Sequence, residues 1–413
     1  MIFVYRIITN ILIIFSPFII LFRLIKKKEN PKRFLEKFSF FSEKRKKGKL
    51  VWFHTVSVGE LLSIFPLLKL LEKNSDISQI LITTSTITSA NLFQKIKIKK
   101  SVHQFFPLDN NFFIKKFLNY WSPQLAIFVD SEIWPNLLLN LKKKNIRKIL
   151  LNARISRHSF RKWKTLGTFS EKIFQLFDCT YPQNNETKKF LKNLKVKKIK
   201  EIGNLKYSQK DYYFNRLPNR TKKFFKSKQI FCAASTHEGE EKLCAEVFKK
   251  LRLKHKKLIL FIIPRHIQRV ELIQKELAAL NMNFHVHSSK KPIDAKTNIY
   301  IVDTFGDTGL FFQYSKIVFM GKSIKADGGQ NPLEPARRNC RIIYGPKISN
   351  FTDIYSFLKK QKIAFKVNNK RQMFKIINKH LIKNIKKNDS DKINLIGKKI
   401  LNEYFREVQF FLK

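Results

Sequence analysis

Short apolar runs alternate with longer segments of helical spacing along most of the chain. The short runs predict two sets of strands. The first set comprises residues 50–54, 79–83, 102–106, 124–129 and 148–152, and the second comprises residues 229–233, 257–263, 298–302, 317–319 and 341–344. Helical spacing at 61–71, 112–120 and 134–143 separates strands of the first set. Such alternation predicts an α/β fold with two doubly wound parallel sheets, that is, two Rossmann-like domains that we expect to face each other across a cleft.

The run 207–228 is polar and irregular, and we interpret it as the boundary between the two domains. We therefore predict an N-terminal Rossmann-like domain over residues 29–215 and a C-terminal Rossmann-like domain over residues 216–413. The tail 370–413 predicts two lysine-rich helices.

Residues 7–25 are almost wholly apolar and are followed by three lysines at 26–28. The length is close to the minimum for crossing a bilayer, and the lysines predict that the rest of the chain stays on the cytoplasmic side. A buried amphipathic helix is the alternative, because Pro17 and Arg23 interrupt the run. We expect a membrane-anchor helix within residues 1–28, either spanning the membrane or lying on it.

The charge is unusual, since 83 lysines and arginines against 30 acids give a net charge of +53. A nucleic-acid-binding protein is one interpretation, but the lysines are spread along the chain rather than clustered on one element. We favour a mutational bias as their origin and expect no nucleic-acid partner. The positive surface still attracts anionic substrates and an anionic membrane.

The cysteines and histidines show no metal-binding spacing. The four cysteines read as small buried apolar residues in a reducing compartment, and we predict neither a metal site nor a cofactor.

In the first half, polar residues follow the predicted strands. Glu60 comes after the turn 57–59, where it either complements a helix dipole or, if partly buried, acts as a general base. Asp130 and Glu132 follow another strand, and Asp130 or Ser131 could instead cap the helix that Pro135 begins. Lys206, in the run 203–206, lies beyond a strand and just before the predicted domain boundary.

The second half shows the same arrangement. The run 235–240 predicts a capping box. Arg265 follows a strand, where it suits a nucleotide phosphate. The run 303–307 follows the next predicted strand, and Gly306 allows the backbone to approach a ligand closely. Gly328 and Gly329 precede Asn331 and Glu334, a pattern that suits an anion and ribose hydroxyls.

Together these segments resemble the 3-deoxy-D-manno-octulosonic acid (Kdo) transferase family over nearly the whole chain. The matching segments, in the family's order and spacing, are HTVSVGE, TTSTITSA, FPLDN, EIWPN, NARISRHS, GNLK, STHEGEE, PRHIQR, DTFGDTGLFFQYSKIVFMGKS and GGQNPLEPA. The resemblance implies an inverting enzyme of the GT-B type at the cytoplasmic face of the inner membrane. It would transfer Kdo from CMP-Kdo to a lipid A precursor, with the acceptor bound by the domain 29–215 and CMP-Kdo by the domain 216–413.

The resemblance also assigns roles by position. Glu60 matches the family's general base, and Asp130 and Lys206 match residues that stabilise the transition state. The CMP site is matched by Pro264, Arg265, Phe305, Gly306, Asp307, Asn331, Pro332, Leu333 and Glu334. A GT-B enzyme that uses another nucleotide sugar is the nearest alternative.

Several positions depart from the family's usual residues. Asp130 and Asp307 replace Glu, which retracts each carboxylate by about 1.5 Å. Gln330 replaces His, Lys322 replaces Gly, Ser208 replaces Asp, and Arg337 and Arg338 replace small residues. We expect these changes to affect the geometry of the donor site more than the class of reaction.

Overall fold

The structure is a computed structural model that describes residues 1–96, 98–209, 217–289, 291–304, 306–382 and 389–413. The chain divides into two compact units. Unit 1 contains Met1–Lys210 and Ile396–Lys413, and unit 2 contains Asp211–Leu395.

Unit 1 is built on a six-stranded parallel sheet with the order β3-β2-β1-β4-β5-β6. Its strands are β1 Lys49–His54, β2 Ile77–Thr84, β3 Ser101–Phe105, β4 Leu125–Val129, β5 Arg147–Ala153 and β6 Cys179–Pro182. Its helices are α1 Ile2–Ile25, α2 Val58–Leu71, α3 Ile87–Lys95, α4 Asn111–Trp121, α5 Pro135–Lys143, α6 Arg157–Thr165, α7 Thr168–Phe174 and α8 Asn185–Asn193. Short 3₁₀ helices lie at Phe34–Phe38 and Leu205–Ser208.

The central strands of unit 1 are apolar on both faces because helices cover both sides of a parallel sheet. Trp52 of β1 and Phe128 of β4 are fully buried and pack together, with ring centroids 5.7 Å apart. This packing fixes the carboxyl ends of β1 and β4 next to each other.

Unit 2 is built on a seven-stranded parallel sheet with the order β13-β12-β11-β7-β8-β10-β9. Its strands are β7 Gln229–Thr236, β8 Leu258–Pro264, β9 Phe284–Val286, β10 Ile299–Ile301, β11 Ile317–Met320, β12 Arg341–Tyr344 and β13 Ala364–Lys366. Its helices are α9 Asn219–Lys226, α10 Glu240–Lys254, α11 Val270–Ala279, α12 Thr308–Phe312, α13 Leu333–Arg337, α14 Thr352–Lys360 and α15 Lys370–Ile382, with a 3₁₀ turn at Ile267–Arg269.

The last helix, α16 Asp389–Leu412, differs from the predicted domain division, because from Ile396 onward its residues belong to unit 1. The buried Tyr404 donates a hydrogen bond to the carbonyl oxygen of Gly203 at 3.0 Å. At Gly397 a Cβ would lie only 2.2 Å from the carbonyl oxygen of Tyr207, so the missing side chain permits this close approach. The predicted boundary between residues 215 and 216 lies outside the described residues.

The expected strands and the two tail helices are confirmed, with ends shifted by a few residues. All four cysteines are free and buried, as predicted. The apolar N-terminal segment forms the 24-residue helix α1, which is long and apolar enough to cross a membrane.

Candidate active site

The strand order in the parallel sheet of unit 1 reverses between β1 and β4. From β1 the chain continues to β2 and β3 on one side, whereas β4 leads to β5 and β6 on the other. In open α/β sheets, ligands bind outside the carboxyl ends of the strands at such a point. Glu60 follows β1 and Asp130 follows β4, so both predicted acids lie there.

Glu60 begins helix α2 through a complete capping box with Ser57. The Ser57 hydroxyl donates to Glu60 Oε1 at 2.8 Å, and the Glu60 N–H donates to Ser57 Oγ at 3.3 Å. The Val56 N–H also donates to Glu60 Oε2, at 2.7 Å. The carboxylate is therefore held in one orientation by the turn that precedes the helix.

Burial raises the pKa of Glu60 to about 7, and the negative charge of Asp130 adds to the rise. The hydrogen bonds from Val56 and Ser57 favour the carboxylate and act in the opposite direction, while the charge of Glu132 raises the pKa further. A carboxyl group with a pKa near neutrality can accept a proton from a substrate and release it again.

Asp130 is connected to the segment that carries Lys206 through Asn152, at the end of β5. The Asn152 amide donates to Asp130 Oδ1 at 2.8 Å, and the Leu205 N–H donates to Asn152 Oδ1 at 2.9 Å. Helix α2 contacts the 3₁₀ helix Leu205–Ser208, on which Lys206 lies. The three residues predicted to be catalytic, Glu60, Asp130 and Lys206, therefore share one end of the sheet.

The backbone at this end adopts the left-handed conformation at two non-glycine residues, Asp130 (φ 63°) and Asn152 (φ 51°). Such backbone conformations are concentrated at functional sites, where the surrounding structure holds them. The sequence analysis quoted Asn152 within a motif but gave it no role. An asparagine at a strand end tolerates this conformation, which is the only signal that could have identified it.

The alternative in which Asp130 or Ser131 caps α5 is wrong. Pro135 is the first residue of α5 as expected, but Trp134 occupies the cap position and makes no side-chain cap hydrogen bond. The free N–H groups of Asn136 and Leu137 donate instead to the two carboxylate oxygens of Asp109, at 3.1 and 2.9 Å. Asp109, which precedes Asn136 by 27 residues, therefore takes the part in starting α5 that the sequence analysis offered to Asp130 or Ser131.

In unit 2, the residues predicted to bind CMP lie at the carboxyl edge of the sheet. Pro264 ends β8, and Arg265 follows it with an exposed side chain. Gly306 and the buried Asp307 follow β10. The run from Asn331 to Glu334 follows β11 and includes the start of α13.

Two hydrogen bonds shape this edge. The Arg265 N–H donates to the carbonyl of Thr236 at 3.0 Å, which joins the ends of β8 and β7. The Asn331 side chain accepts a hydrogen bond from the Leu333 N–H at 3.1 Å and so shapes the turn before α13. Phe305, also predicted to bind CMP, lies outside the described residues.

Glu240 organises the loop after β11, which the sequence analysis did not foresee. The predicted capping box is wrong, because Gly239 occupies the cap position of α10 and makes no side-chain cap hydrogen bond. The fully buried Glu240 carboxylate instead accepts hydrogen bonds from the N–H groups of Lys322, Ser323 and Ile324 at 2.8, 3.1 and 3.0 Å. The available signal was a second glutamate, Glu240, four residues after the strand-end pair Ser235-Thr236.

Lys322 stands in this loop with φ 57°, in the left-handed region that favours glycine. This conformation explains why glycine is usual in the family at this position. Among the described residues, no group of three or more His, Cys, Asp or Glu side chains is arranged to hold a metal ion.

Comparisons with known proteins agree with this architecture. Residues 32–209 match the family model described as 3-deoxy-D-manno-octulosonic-acid transferase. The chain is 31% identical to the 3-deoxy-D-manno-octulosonic acid transferase of Rickettsia bellii, covering 95% of this chain and 96% of that protein. It is 27% identical to the transferase of the same name from Haemophilus influenzae, covering 87% of this chain and 86% of that protein.

Among solved structures, a glycosyltransferase from Rickettsia africae superposes with a TM-score of 0.58 at 14% identity, covering 89% of this chain and all 100% of that one. This likeness supports a fold of the GT-B type, with two parallel-sheet α/β domains. The similarity to the Rickettsia bellii transferase extends over nearly the full length of both chains. The chain belongs to the family of 3-deoxy-D-manno-octulosonic acid transferases.

Proposed function

We propose that this Kdo transferase uses CMP-Kdo as its donor and a lipid A precursor as its acceptor, and that it inverts the configuration of the Kdo anomeric carbon. The observation that carries the proposal is the environment of Glu60. Its carboxyl group is oriented by a capping box, lies beside Asp130 at the reversal point of the sheet, and has a pKa of about 7.

In this mechanism the Glu60 carboxylate takes the proton from an acceptor hydroxyl. The acceptor oxygen forms a bond to the anomeric carbon of Kdo as the bond from that carbon to the phosphate oxygen breaks, and CMP leaves with the electron pair. The transition state resembles an oxocarbenium ion, as in glycoside hydrolysis. Asp130 stabilises the positive charge that develops on the sugar, and Lys206 stabilises developing negative charge.

We assign donor binding to unit 2 and acceptor binding to unit 1. Arg265 carries the positive charge that the departing phosphate requires, and Glu334 accepts hydrogen bonds from the ribose. Pro264, Gly306, Asp307, Asn331, Pro332 and Leu333 complete the proposed CMP site together with Phe305. In this assignment the protein's own cations stabilise the leaving group, so the reaction needs no metal ion.

We further propose that the enzyme works at the cytoplasmic face of the inner membrane. Helix α1 supplies apolar surface, and Lys26, Lys27 and Lys28 follow it directly. The net charge of +53 attracts the chain to anionic lipid and to a phosphorylated acceptor.

The Glu60→Gln variant tests the proposal. Glutamine can replace glutamate in a capping box, so α2 should still begin at the same residue. We expect CMP-Kdo binding to be retained and kcat for Kdo transfer to fall by about 10²-fold or more, because the general base is lost. The assay combines purified protein, CMP-Kdo and a tetraacylated lipid A precursor, and mass spectrometry identifies the product.

Ser57→Ala is the matched control, because it removes the cap hydroxyl but leaves the carboxylate in place. We expect this variant to keep most of the activity while α2 loses some stability. Near-normal turnover by Glu60→Gln would refute the role of Glu60 as the base.

A further inference from the structure

Polar side chains of helix α1 form hydrogen bonds with the rest of unit 1. The Tyr5 hydroxyl donates to Asp109 Oδ2 at 2.7 Å, and the Asn110 amide donates to Asn10 Oδ1 at 2.7 Å. Arg6 Nε donates to Asn136 Oδ1 at 3.3 Å. The first turns of this helix are therefore fixed to the globular part of unit 1 by side-chain hydrogen bonds.

The opposite side of α1 is apolar and exposed along its whole length. Phe3, Ile14 and Phe18 are 72%, 70% and 70% exposed. A helix on a water-facing surface has the reverse arrangement, with apolar side chains against the protein. The arrangement in α1 suits a helix that lies along the membrane interface with its apolar side among the lipid chains.

A pocket of about 460 Å³ lies between α1 and the rest of unit 1. Binding pockets for small molecules commonly measure about 300 to 1,000 Å³. Its surface is mostly apolar and includes Ile8, Leu12, Ile20, Leu108 and Trp134. The lining also includes Arg23, Lys37 and Glu29, and these charges are paired with one another. Arg23 and Lys37 each form an ion pair with Glu29, at 2.6 and 2.5 Å.

The pocket is adjacent to the proposed active site through Trp134. The Trp134 indole N–H donates to Glu132 Oε2 at 2.9 Å, and the same oxygen lies 3.3 Å from His54 Nε2. Glu132 is also close enough to Glu60 for its charge to raise the pKa of that carboxyl group. A ligand in the pocket would therefore contact Trp134, which also donates a hydrogen bond to Glu132, close to Glu60.

We propose that this pocket binds a fatty acyl chain of the acceptor. The inference rests on the proposed lipid A precursor as acceptor and adds a specific site for one of its chains. The apolar lining matches a hydrocarbon chain, and the neighbouring exposed side of α1 provides a path from the lipid phase. The contact between Trp134 and Glu132 brings the bound lipid close to Glu60, where its sugar hydroxyl must react.

The test compares two matched double variants, in which two aliphatic side chains of the same size, isoleucine or leucine, become phenylalanine. Ile8→Phe with Leu12→Phe adds bulk to the pocket lining, whereas Ile7→Phe with Ile11→Phe adds the same bulk to α1 at positions outside that lining. We expect the first to raise KM for a tetraacylated acceptor by about tenfold or more, since several methylene groups lose their contacts. The second should leave that KM unchanged, and both should keep the wild-type KM for a deacylated acceptor. Equal KM values for the tetraacylated acceptor in the two variants would overturn the inference.

A binding measurement separates this inference from the proposed function. An acceptor with a brominated acyl chain should quench the fluorescence of Trp134, and the Trp134→Phe variant identifies that part of the signal. If quenching occurs without Kdo transfer by the wild type, the pocket stands and the proposed acceptor reaction fails. If brominated phospholipid quenches Trp134 and the acceptor does not displace it, the pocket belongs to bulk lipid and the inference is wrong.

Discussion

At the scale of single residues, Glu60 combines a structural and a chemical role. Its backbone and side chain complete the capping box of α2, and its carboxyl group titrates near neutral pH. Glutamine preserves the first role and removes the second. The same substitution therefore also measures what the raised pKa does to stability.

We predict that the wild type loses stability relative to Glu60→Gln as the pH rises from 4.5 to 7. The folded-state pKa of Glu60 is about 7, above its ordinary value of 4.5, so the folded protein binds this proton more tightly than the unfolded chain does. The proton's contribution is complete below pH 4.5 and is lost by about pH 7, a change of up to about 3 kcal/mol. Urea unfolding of both proteins across this range measures it. A difference between them that stays constant with pH would contradict the raised pKa.

The sequence identified Glu60 and Asp130 because acids that follow strands of a parallel sheet gather at one edge. It did not identify the role of Asn152. That residue connects Asp130 to Leu205 because β4 and β5 are neighbours in the sheet, because the chain returns to this end of the sheet at Leu205, 53 residues after Asn152, and because the backbone at Asn152 is left-handed. The role of Glu240 was not predicted either, because the N–H groups that it binds lie about 80 residues away, in the loop after β11.

At the scale of elements, the fold depends on contacts that a local pattern does not contain. The strands that the sequence analysis missed, β6, β9 and β13, are short and lie at the edges of their sheets. With four, three and three residues, they offer too few positions for an apolar pattern to be recognised. The helix α5 likewise begins with a cap from Asp109, whose position in the sequence gives no hint of its partner.

We predict that Asp109→Ala destabilises unit 1 by about 1 to 2 kcal/mol. The substitution removes the acceptor for the N–H groups of Asn136 and Leu137 and for the Tyr5 hydroxyl of α1. Hydrogen exchange should speed up at Asn136 and Leu137, and urea unfolding gives the change in free energy. Asp76→Ala, at an exposed position, is the control and should change neither. Unchanged exchange at Asn136 and Leu137 in Asp109→Ala would rule out this cap.

At the scale of the whole molecule, the sequence predicted both the anchor helix and the two parallel sheets. It left open whether the helix spans the membrane or lies on it. The structure adds the hydrogen bonds from Tyr5, Arg6 and Asn10 to unit 1, which no apolar pattern could reveal because they join side chains about 100 to 130 residues apart. They hold the first turns of α1 against the rest of unit 1, which is the arrangement that our proposal of a helix lying along the membrane requires.

We predict that replacing Ile7, Ile14, Phe15 and Phe18 by serine releases the protein from anionic vesicles. These side chains belong to the exposed side of α1, so the hydrogen bonds to unit 1 and the fold should persist. Vesicle sedimentation measures binding, and circular dichroism verifies the fold. Leu253→Ser, which alters a residue that is 75% exposed in unit 2, should sediment like the wild type. Full sedimentation of the serine variant would show that charge alone holds the protein on the membrane.

The return of Ile396–Lys413 to unit 1 has a consequence for biosynthesis. During translation, the early part of the chain leaves the ribosome long before the helix that supplies Tyr404 and Gly397 has been made. Unit 1 therefore lacks its last 18 residues until all of unit 2 has been synthesised. A nascent chain that stops before residue 396 would therefore contain the complete sheet of unit 1 but lack the helix that packs on it. We expect chaperones and proteases to recognise such a chain.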